Sequence, residues 1–327
     1  MKKILVTGAG GFIGYHLANF LADNGHTVVG VDIHYPEQPV DGKPPRFKAL
    51  TGDFRKQSLM EEALEQVDVV FHLASAHLQI SLGESEYWDI NVHSLEPLLK
   101  LSQQKGVSRY IHVSSVGIYG NLTTLPANEE SECHPQSIYG ETKLAGEGVV
   151  NEYAAKNNFP VVIIRPAWVY GPGCPRTQKL YRTLKKKRFV MIGKGDNLRH
   201  PIYIADMLEG FRLAMEHEAA VGETFLIAGE RAITTRELVD GFVQALGTPG
   251  PVVSLPYRVG VAIAATAETV FGLIGKEPPI SRRTLEFFDT NNAFDISKAR
   301  KMLDFNPRFT FEEGLKESQT WLENLSG

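Results

Sequence analysis

Tyr139 and Lys143 stand four residues apart in the run Ser137-Ile138-Tyr139-Gly140-Glu141-Thr142-Lys143, and on a helix that spacing puts both side chains on one face. A phenol beside an ammonium is an acid/base pair. Tyrosine titrates near ~10, so bringing it to about 7 takes roughly three units at ~1.36 kcal/mol each, part of which a close cation supplies. Ser115 lies 24 residues earlier, in the run Val113-Ser114-Ser115-Val116-Gly117-Ile118-Tyr119-Gly120. That run reads as the carboxyl end of a strand, where parallel sheets bind ligands.

The elements that must position these residues follow from periodicity. From the start to about Pro166, short β-branched runs alternate with amphipathic stretches: Lys3 to Thr7, Thr27 to Asp32, Val67 to Leu73, Arg109 to Ser114 and Val161 to Arg165. Such alternation predicts βαβ units on a parallel sheet, and a helix over Glu86 to Gln104 is expected to cover it. After Pro166 the texture turns helical, with stretches at Ala205 to His217, Thr235 to Leu246, Pro256 to Ile274, Ser297 to Leu303 and Phe311 to Leu325. The expected architecture is α/β: a Rossmann-type doubly wound parallel sheet over residues 1–166 and a smaller, mostly helical substrate lobe over 167–327, with interleaving segments.

Thr7-Gly8-Ala9-Gly10-Gly11-Phe12-Ile13-Gly14 follows the first strand and opens an amphipathic helix. Gly8, Gly11 and Gly14 suit a tight turn, close approach to a pyrophosphate and close helix–sheet packing, while the helix N-terminus offers N–H groups to phosphates. Asp32 ends the second strand 18 residues past Gly14, where a carboxylate accepts hydrogen bonds from ribose hydroxyls and repels a 2′-phosphate. NAD is therefore expected over NADP. Asp53, before Phe54, meets the adenine edge or caps the next helix. His72 reads as a core residue ahead of the small-residue run Leu73-Ala74-Ser75-Ala76, which lets backbone pass close to a cofactor. Asn91, a poor helix former, holds a backbone group or water, or faces solvent.

Composition excludes other classes. Apolar residues make up 43% and charged residues 22% of 327, and the net charge is −4, giving no footprint for nucleic acid. The basic run Lys185 to Arg188 reads as the solvated end of an amphipathic helix. Cys133 and Cys174 lie far apart in no metal or redox spacing, so neither metal nor disulfide is expected. The stretch Val259 to Gly275 is shorter than the ~20 residues of a membrane span, and no apolar run of signal-peptide length follows Met1. A cytoplasmic protein without membrane contact is expected.

Taken in order, the glycine loop, Asp32, Asp53, His72-Leu73-Ala74, Asn91, Ser114-Ser115, Tyr139-x-x-x-Lys143 and Arg165-Pro166-Ala167-Trp168-Val169-Tyr170-Gly171-Pro172-Gly173 resemble the extended short-chain dehydrogenase/reductase family, in its NAD-dependent epimerase/dehydratase group. The resemblance implies Tyr139 as base, Lys143 as holder of the nicotinamide ribose and depressor of the tyrosine pKa, and Ser115 as partner of the substrate oxygen. It places Gly8, Gly11, Phe12, Ile13, Gly14, Asp32, Asp53, Phe54, Leu73, Ala74, Ser75, Ser114, Tyr139, Lys143 and Pro166 against NAD. His77, Ser115, Tyr139, Val169 and Arg199 fall against the substrate, and a homodimer is implied through the helices near Glu86 to Gln104 and Glu141 to Ala155.

The substrate signals diverge. Asn197-Leu198-Arg199-His200-Pro201 resembles the stretch whose arginine binds a nucleotide pyrophosphate, the competing role for Arg199 being an ion pair with Asp206 or another acid. The Arg-x-Gly-Asp stretch common in sugar enzymes is absent before Asp295, where Asp289-Thr290-Asn291-Asn292-Ala293-Phe294 stands instead; Arg282 and Arg283 lie upstream. The region from Leu255 through Pro278-Pro279-Ile280 to Ala299 resembles the 3β-hydroxysteroid dehydrogenase branch. The first expectation is an epimerase or dehydratase of a nucleotide-activated sugar. The second is a net dehydrogenase of a steroid-like or other apolar secondary alcohol, and the third a non-catalytic NAD sensor.

Overall fold

The computed structural model describes residues 1–36, 44–77, 82–245, 253–273 and 282–324. Pro278, Pro279 and Ile280 lie outside the described residues, as do the side chains of Arg282 and Arg283. The first half alternates as its periodicity predicts: β1 Lys3–Thr7, α1 Phe12–Asp23, β2 Thr27–Asp32, β3 Lys48–Thr51, α2 Gln57–Ala63, β4 Val69–His72, α3 Glu84–Trp88, α4 Leu95–Gln104, β5 Arg109–Val113, α5 Ile138–Asn157 and β6 Val161–Pro166. The second half supplies β7 Trp168–Tyr170, α6 Pro175–Lys185, β8 Val190–Ile192, β9 Leu198–Arg199, β10 Pro201–Tyr203, α7 Ile204–Glu216 and β11 Thr224–Ile227. Beyond these come β12 Ile233–Thr234, α8 Thr235–Ala245, β13 Val253–Leu255, α9 Tyr257–Leu273, α10 Arg282–Asp289, α11 Ser297–Leu303, α12 Phe311–Glu317 and α13 Gln319–Asn324.

Seven strands form one parallel sheet in the order β11-β6-β5-β4-β1-β2-β3. Alternate residues of each strand point to opposite faces, and the core divides accordingly. Ile4, Val6, Phe71, Ile111 and Ile164 pack with Leu17 of α1 and Phe211 of α7 on one side. Leu5, Val70, Tyr110 and Ile163 pack with Met60 of α2, Leu99 of α4 and Val150 of α5 on the other. Helices thus cover both faces, and the central strands β1, β4, β5 and β6 are buried nearly throughout, as a parallel sheet covered on both sides requires, while the edge strand β3 is mostly exposed. The sheet extends beyond Pro166: β11 pairs with β6 from Thr224↔Ile163 to Ile227↔Pro166, so the two halves of the chain share one core.

Two of the helices differ from expectation. The single helix over Glu86 to Gln104 is broken by a π-helical turn at Asp89–His93, a distortion that re-aims side chains. It turns Asn91 inward, 3% exposed, where Oδ1 accepts from Ala76 N at 2.8 Å and Nδ2 donates to Ala76 O at 3.2 Å and Thr142 Oγ1 at 3.0 Å. Asn91 therefore holds backbone and does not face solvent. The basic run lies at the end of α6 as expected: Lys185 is the last helical residue, Lys186 its C-cap and Lys187 the left-handed exit at φ 53°, with all four cations exposed. The helix expected over Phe311 to Leu325 divides at Ser318, whose hydroxyl bonds back to Gly314 O at 2.7 Å, a contact that bends helices.

Replacing Asn91 with alanine leaves the Ala76 N–H and C=O buried and unpaired, at about 1–3 kcal/mol each. The expected loss of stability is about 2–6 kcal/mol in denaturant unfolding. A loss below about 0.5 kcal/mol would show that the clamp contributes nothing.

Candidate active site

The glycine loop lies between the ends of β1 and β4. Gly8 is left-handed at φ 75°, and a Cβ on it would meet Ala74 N at 2.8 Å, while one on Gly14 would lie 2.0 Å from Gly8 O. Only glycine permits that approach. Tyr15 N donates to Gly11 O at 2.8 Å as the first bond of α1, so the N–H groups of Phe12, Ile13 and Gly14 have no acceptor within the helix. Asp32 is fixed at the end of β2, Oδ2 accepting from Gly10 N at 2.9 Å and Oδ1 from His34 N at 3.1 Å. One lone pair on each oxygen remains for a diol.

Asp53 does not cap the next helix. Its carboxylate accepts the Arg55 guanidinium at 2.6–3.1 Å and Arg55 N at 2.9 Å, and Lys56, not Asp53, precedes α2. The Arg55 guanidinium holds the Asp53 carboxyl below its usual range. Phe54 turns its ring inward, 5.0 Å from that of His72. His72 is a core residue as expected, 1% exposed and bonded to Thr7 Oγ1 at 2.8 Å. Burial, with the Lys143 charge, lowers its pKa to about 3.

The reactive groups gather at the carboxyl end of β5. Ser115 opens a 3₁₀ turn, Val116–Tyr119, its Oγ accepting from Gly117 N at 3.0 Å. Ser137 caps α5, accepting from Gly140 N at 3.2 Å. A Cβ on Gly140 would lie 2.6 Å from Gly117 O, so this glycine lets helix and turn touch, with the Tyr139 ring in ordinary contact distance of Gly117. Tyr139 is thereby brought near Ser115. Burial raises the phenol's pKa, opposed by the Ser115 hydroxyl and by the charge of Arg176. Lys143 is 3% exposed and donates from Nζ to Val113 O at 2.6 Å; burial lowers its pKa to about 8, opposed by Glu147.

Around this centre, the His77 ring stands edge-on to Tyr139 with centroids 4.5 Å apart. The Ser114 hydroxyl is buried without a hydrogen-bond partner. Pro166 ends β6 against Ile227. Val169 of β7 is 7% exposed and packed in the core. Leu73, Ala74 and Ser75 are half-buried behind the glycine loop.

Arg199 is likewise buried, its guanidinium donating to Phe287 O and to Thr290 Oγ1 at 3.2 Å and lying 4.7 Å from the Phe287 ring centroid. The alternative pairing with Asp206 does not form, because Asp206 accepts Arg308 N at 3.0 Å and Phe309 N at 3.1 Å. Sequence reasoning missed Arg176, the second residue of α6, whose charge acts on Tyr139, His77 and Arg199. Its place just after the Gly171-Pro172-Gly173 break was the available signal. That break is tied to α1 by His16 Nε2 and Pro172 O at 2.8 Å.

The cradle, the unused N–H groups of α1, the Asp32 carboxylate and the partnerless Ser114 hydroxyl fit a dinucleotide. Among the described residues no group of three metal-ligating side chains is present, and no helix is long and apolar enough to cross a membrane.

Residues 4–228 match the model of the NAD dependent epimerase/dehydratase family. A Bacillus subtilis protein described as an uncharacterized UDP-glucose epimerase, YtcB, is 30% identical over 99% of this chain and 98% of its own. The Schizosaccharomyces pombe sterol-4-alpha-carboxylate 3-dehydrogenase, decarboxylating, is 27% identical over 99% and 98%. Among solved structures, UDP-glucuronic acid 4-epimerase from Bacillus cereus in complex with NAD superposes with a TM-score of 0.80 at 25% identity, over 99% of this chain and 100% of that one.

Asp32→Ala removes a charged acceptor of two hydrogen bonds, each worth about 1.5–3 kcal/mol. NAD affinity is expected to fall at least tenfold and the preference over NADP to narrow, both read by calorimetry. Unchanged affinity for NAD would contradict this placement.

Proposed function

Because this chain belongs to the NAD dependent epimerase/dehydratase family, with NAD as its cofactor, we propose that it is an epimerase or dehydratase of a nucleotide-activated sugar. The observation that carries the reading is the placing of Ser115 and the Tyr139 ring together at Gly117, with Lys143 one turn further along the helix of Tyr139. Bound NAD supplies the hydride acceptor, and in this reaction course the hydride is returned within one turnover. Tyr139 removes the proton of a secondary hydroxyl and later gives it back. Ser115 holds the same oxygen in line with the phenol, so that the reacting atoms are prepositioned. Lys143, charged and buried, favours the phenolate. The His77 ring covers one edge of Tyr139 and narrows the access of water to it.

The glycine loop, Asp32 and the ends of β4 and β5 form the cofactor half, and the segments after Pro166 bring the substrate. Arg176 suits this role, since an exposed guanidinium whose charge reaches the base matches the anionic part of a nucleotide-sugar. UDP-sugars are what the similar epimerase structures hold. The protein acts in the cytoplasm as a homodimer formed by the helices near Glu86 to Gln104 and Glu141 to Ala155 in this reading.

One observation favours a second reading. Arg199 is occupied by Phe287 O and Thr290, which withdraws an expected pyrophosphate ligand. Sterol-carboxylate dehydrogenases also stand among the relatives, so net oxidation of an apolar secondary alcohol is the alternative.

Purified protein with NAD, given UDP-, dTDP- and GDP-sugars and hydroxysteroids, separates the two. A changed sugar without net NADH supports the first, and net NADH from an apolar alcohol the second. Tyr139→Phe is expected to lower turnover by at least a thousandfold, with NAD affinity by calorimetry nearly unchanged. Full activity in that variant would remove Tyr139 from the mechanism.

A further inference from the structure

Ser115 and the Tyr139–Lys143 pair belong to different elements, and a buried ion pair behind them joins the two. Arg165 on β6 donates from Nε to Glu147 Oε1 at 3.0 Å and from Nη2 to Oε2 at 2.7 Å. Their side chains are 9% and 4% exposed. The remaining nitrogen, Nη1, donates to Tyr119 Oη at 2.6 Å and Glu129 O at 3.0 Å, and the guanidinium lies 5.2 Å from the Tyr119 ring centroid. Tyr119 closes the turn that Ser115 opens and donates from Oη to Asn128 O at 2.9 Å. One guanidinium thus grips the helix of Tyr139 and Lys143 through Glu147 and the turn of Ser115 through Tyr119.

A buried ion pair is poor value as a source of stability, since desolvating two charges costs much of what their attraction returns, and apolar side chains of the same volume serve as well. Its place in the fold suggests another use. Tyr139, Lys143 and Glu147 recur every four residues along α5, and helical residues four apart are neighbours on one face. The groups facing Lys143 are Tyr139 and Glu147 from its own helix, His72 from β4, His112 from β5 and His77 from the loop after β4. The buried imidazoles of His72 and His112 are held neutral by burial and by the Lys143 charge. Among the described residues, Glu147 is the anion acting on Lys143.

We propose that Glu147, clamped by Arg165, is a positioning residue for Lys143: its carboxylate keeps the buried ammonium charged, and its clamp sets the Ser115 turn against the Tyr139 helix. The inference concerns the protein before any substrate binds, although its value for turnover rests on the function proposed above. The sign follows from charge. Burial alone drives Lys143 toward the neutral amine, and the carboxylate opposes this; without Glu147 the proton is lost at lower pH. Activity that needs the ammonium then fails at lower pH as well, so the alkaline limb of the profile moves down.

The test titrates Lys143 by NMR in full-length protein carrying lysine labelled with ¹³C at Cε, without cofactor, its resonance assigned by its loss in Lys143→Arg. In Glu147→Gln the proton affinity is expected to fall about tenfold or more, with the alkaline limb of kcat/KM displaced the same way. Glu147→Asp, which keeps the charge, is expected to restore most of both. Glu147→Gln leaves Arg165 buried without its anion and risks misfolding, so the double variant Glu147→Gln/Arg165→Gln is measured too. A folded double variant in which Lys143 still titrates low supports the proposal. A wild-type titration of Lys143 in either variant overturns it, whatever substrate the enzyme turns over.

Discussion

One buried ammonium organises this site. Lys143 Nζ reaches Val113 O at 2.6 Å from a position 3% exposed, and this bond docks α5 onto the carboxyl end of β5. A lysine taken out of water tends to shed its proton, so the site needs an anion nearby that does not quench the cation by pairing with it directly. Glu147 answers that need because Arg165 engages both of its oxygens. The charge order Lys143, Glu147, Arg165 runs from the reacting centre into the core, and the Tyr139 phenol sits at its open end.

Two close approaches make the arrangement possible. At Gly14 the first helix comes close enough to Gly8 O to exclude any Cβ, and at Gly140 α5 does the same to Gly117 O. The first approach leaves the first N–H groups of α1 open, the arrangement that suits phosphates. The second brings Tyr139 to Ser115. Both lie where the loops leave the carboxyl ends of parallel strands, the place such sheets reserve for ligands. The π-helical turn at Asn91 belongs to the same design, clamping Ala76 just past the strand end and Thr142 beside Lys143.

The parallel sheet and its cofactor half were legible in the sequence because they depend on local pattern: β-branched runs, a glycine loop before an apolar helical face, an acid at the end of the second strand. The pairing of Glu147 with Arg165 was not, since it joins residues on a helix and a strand whose contact only the sheet order decides. Nor was the π-helical turn at Asp89–His93, which tertiary partners impose against the expected helical continuation, although the hold of Asn91 on backbone was one of its two readings. Asp53 and Arg199 were legible as residues but not in their partners. Asp53 meets an arginine two residues on, and Arg199 is covered by the end of α10 through Phe287. Arg176 escaped notice because its significance lies in three groups far away in sequence.

The most direct test of the account follows the hydrogen on the reacting carbon. A UDP-sugar deuterated at its carbinol carbon is turned over by protein and NAD in ordinary water, with nicotinamide fluorescence recorded during the reaction. Transient oxidation at Tyr139 predicts a changed sugar that keeps its deuterium, with reduced nicotinamide present while turnover lasts. A changed sugar carrying protium from solvent at that carbon, with no reduced nicotinamide at any time, would contradict it.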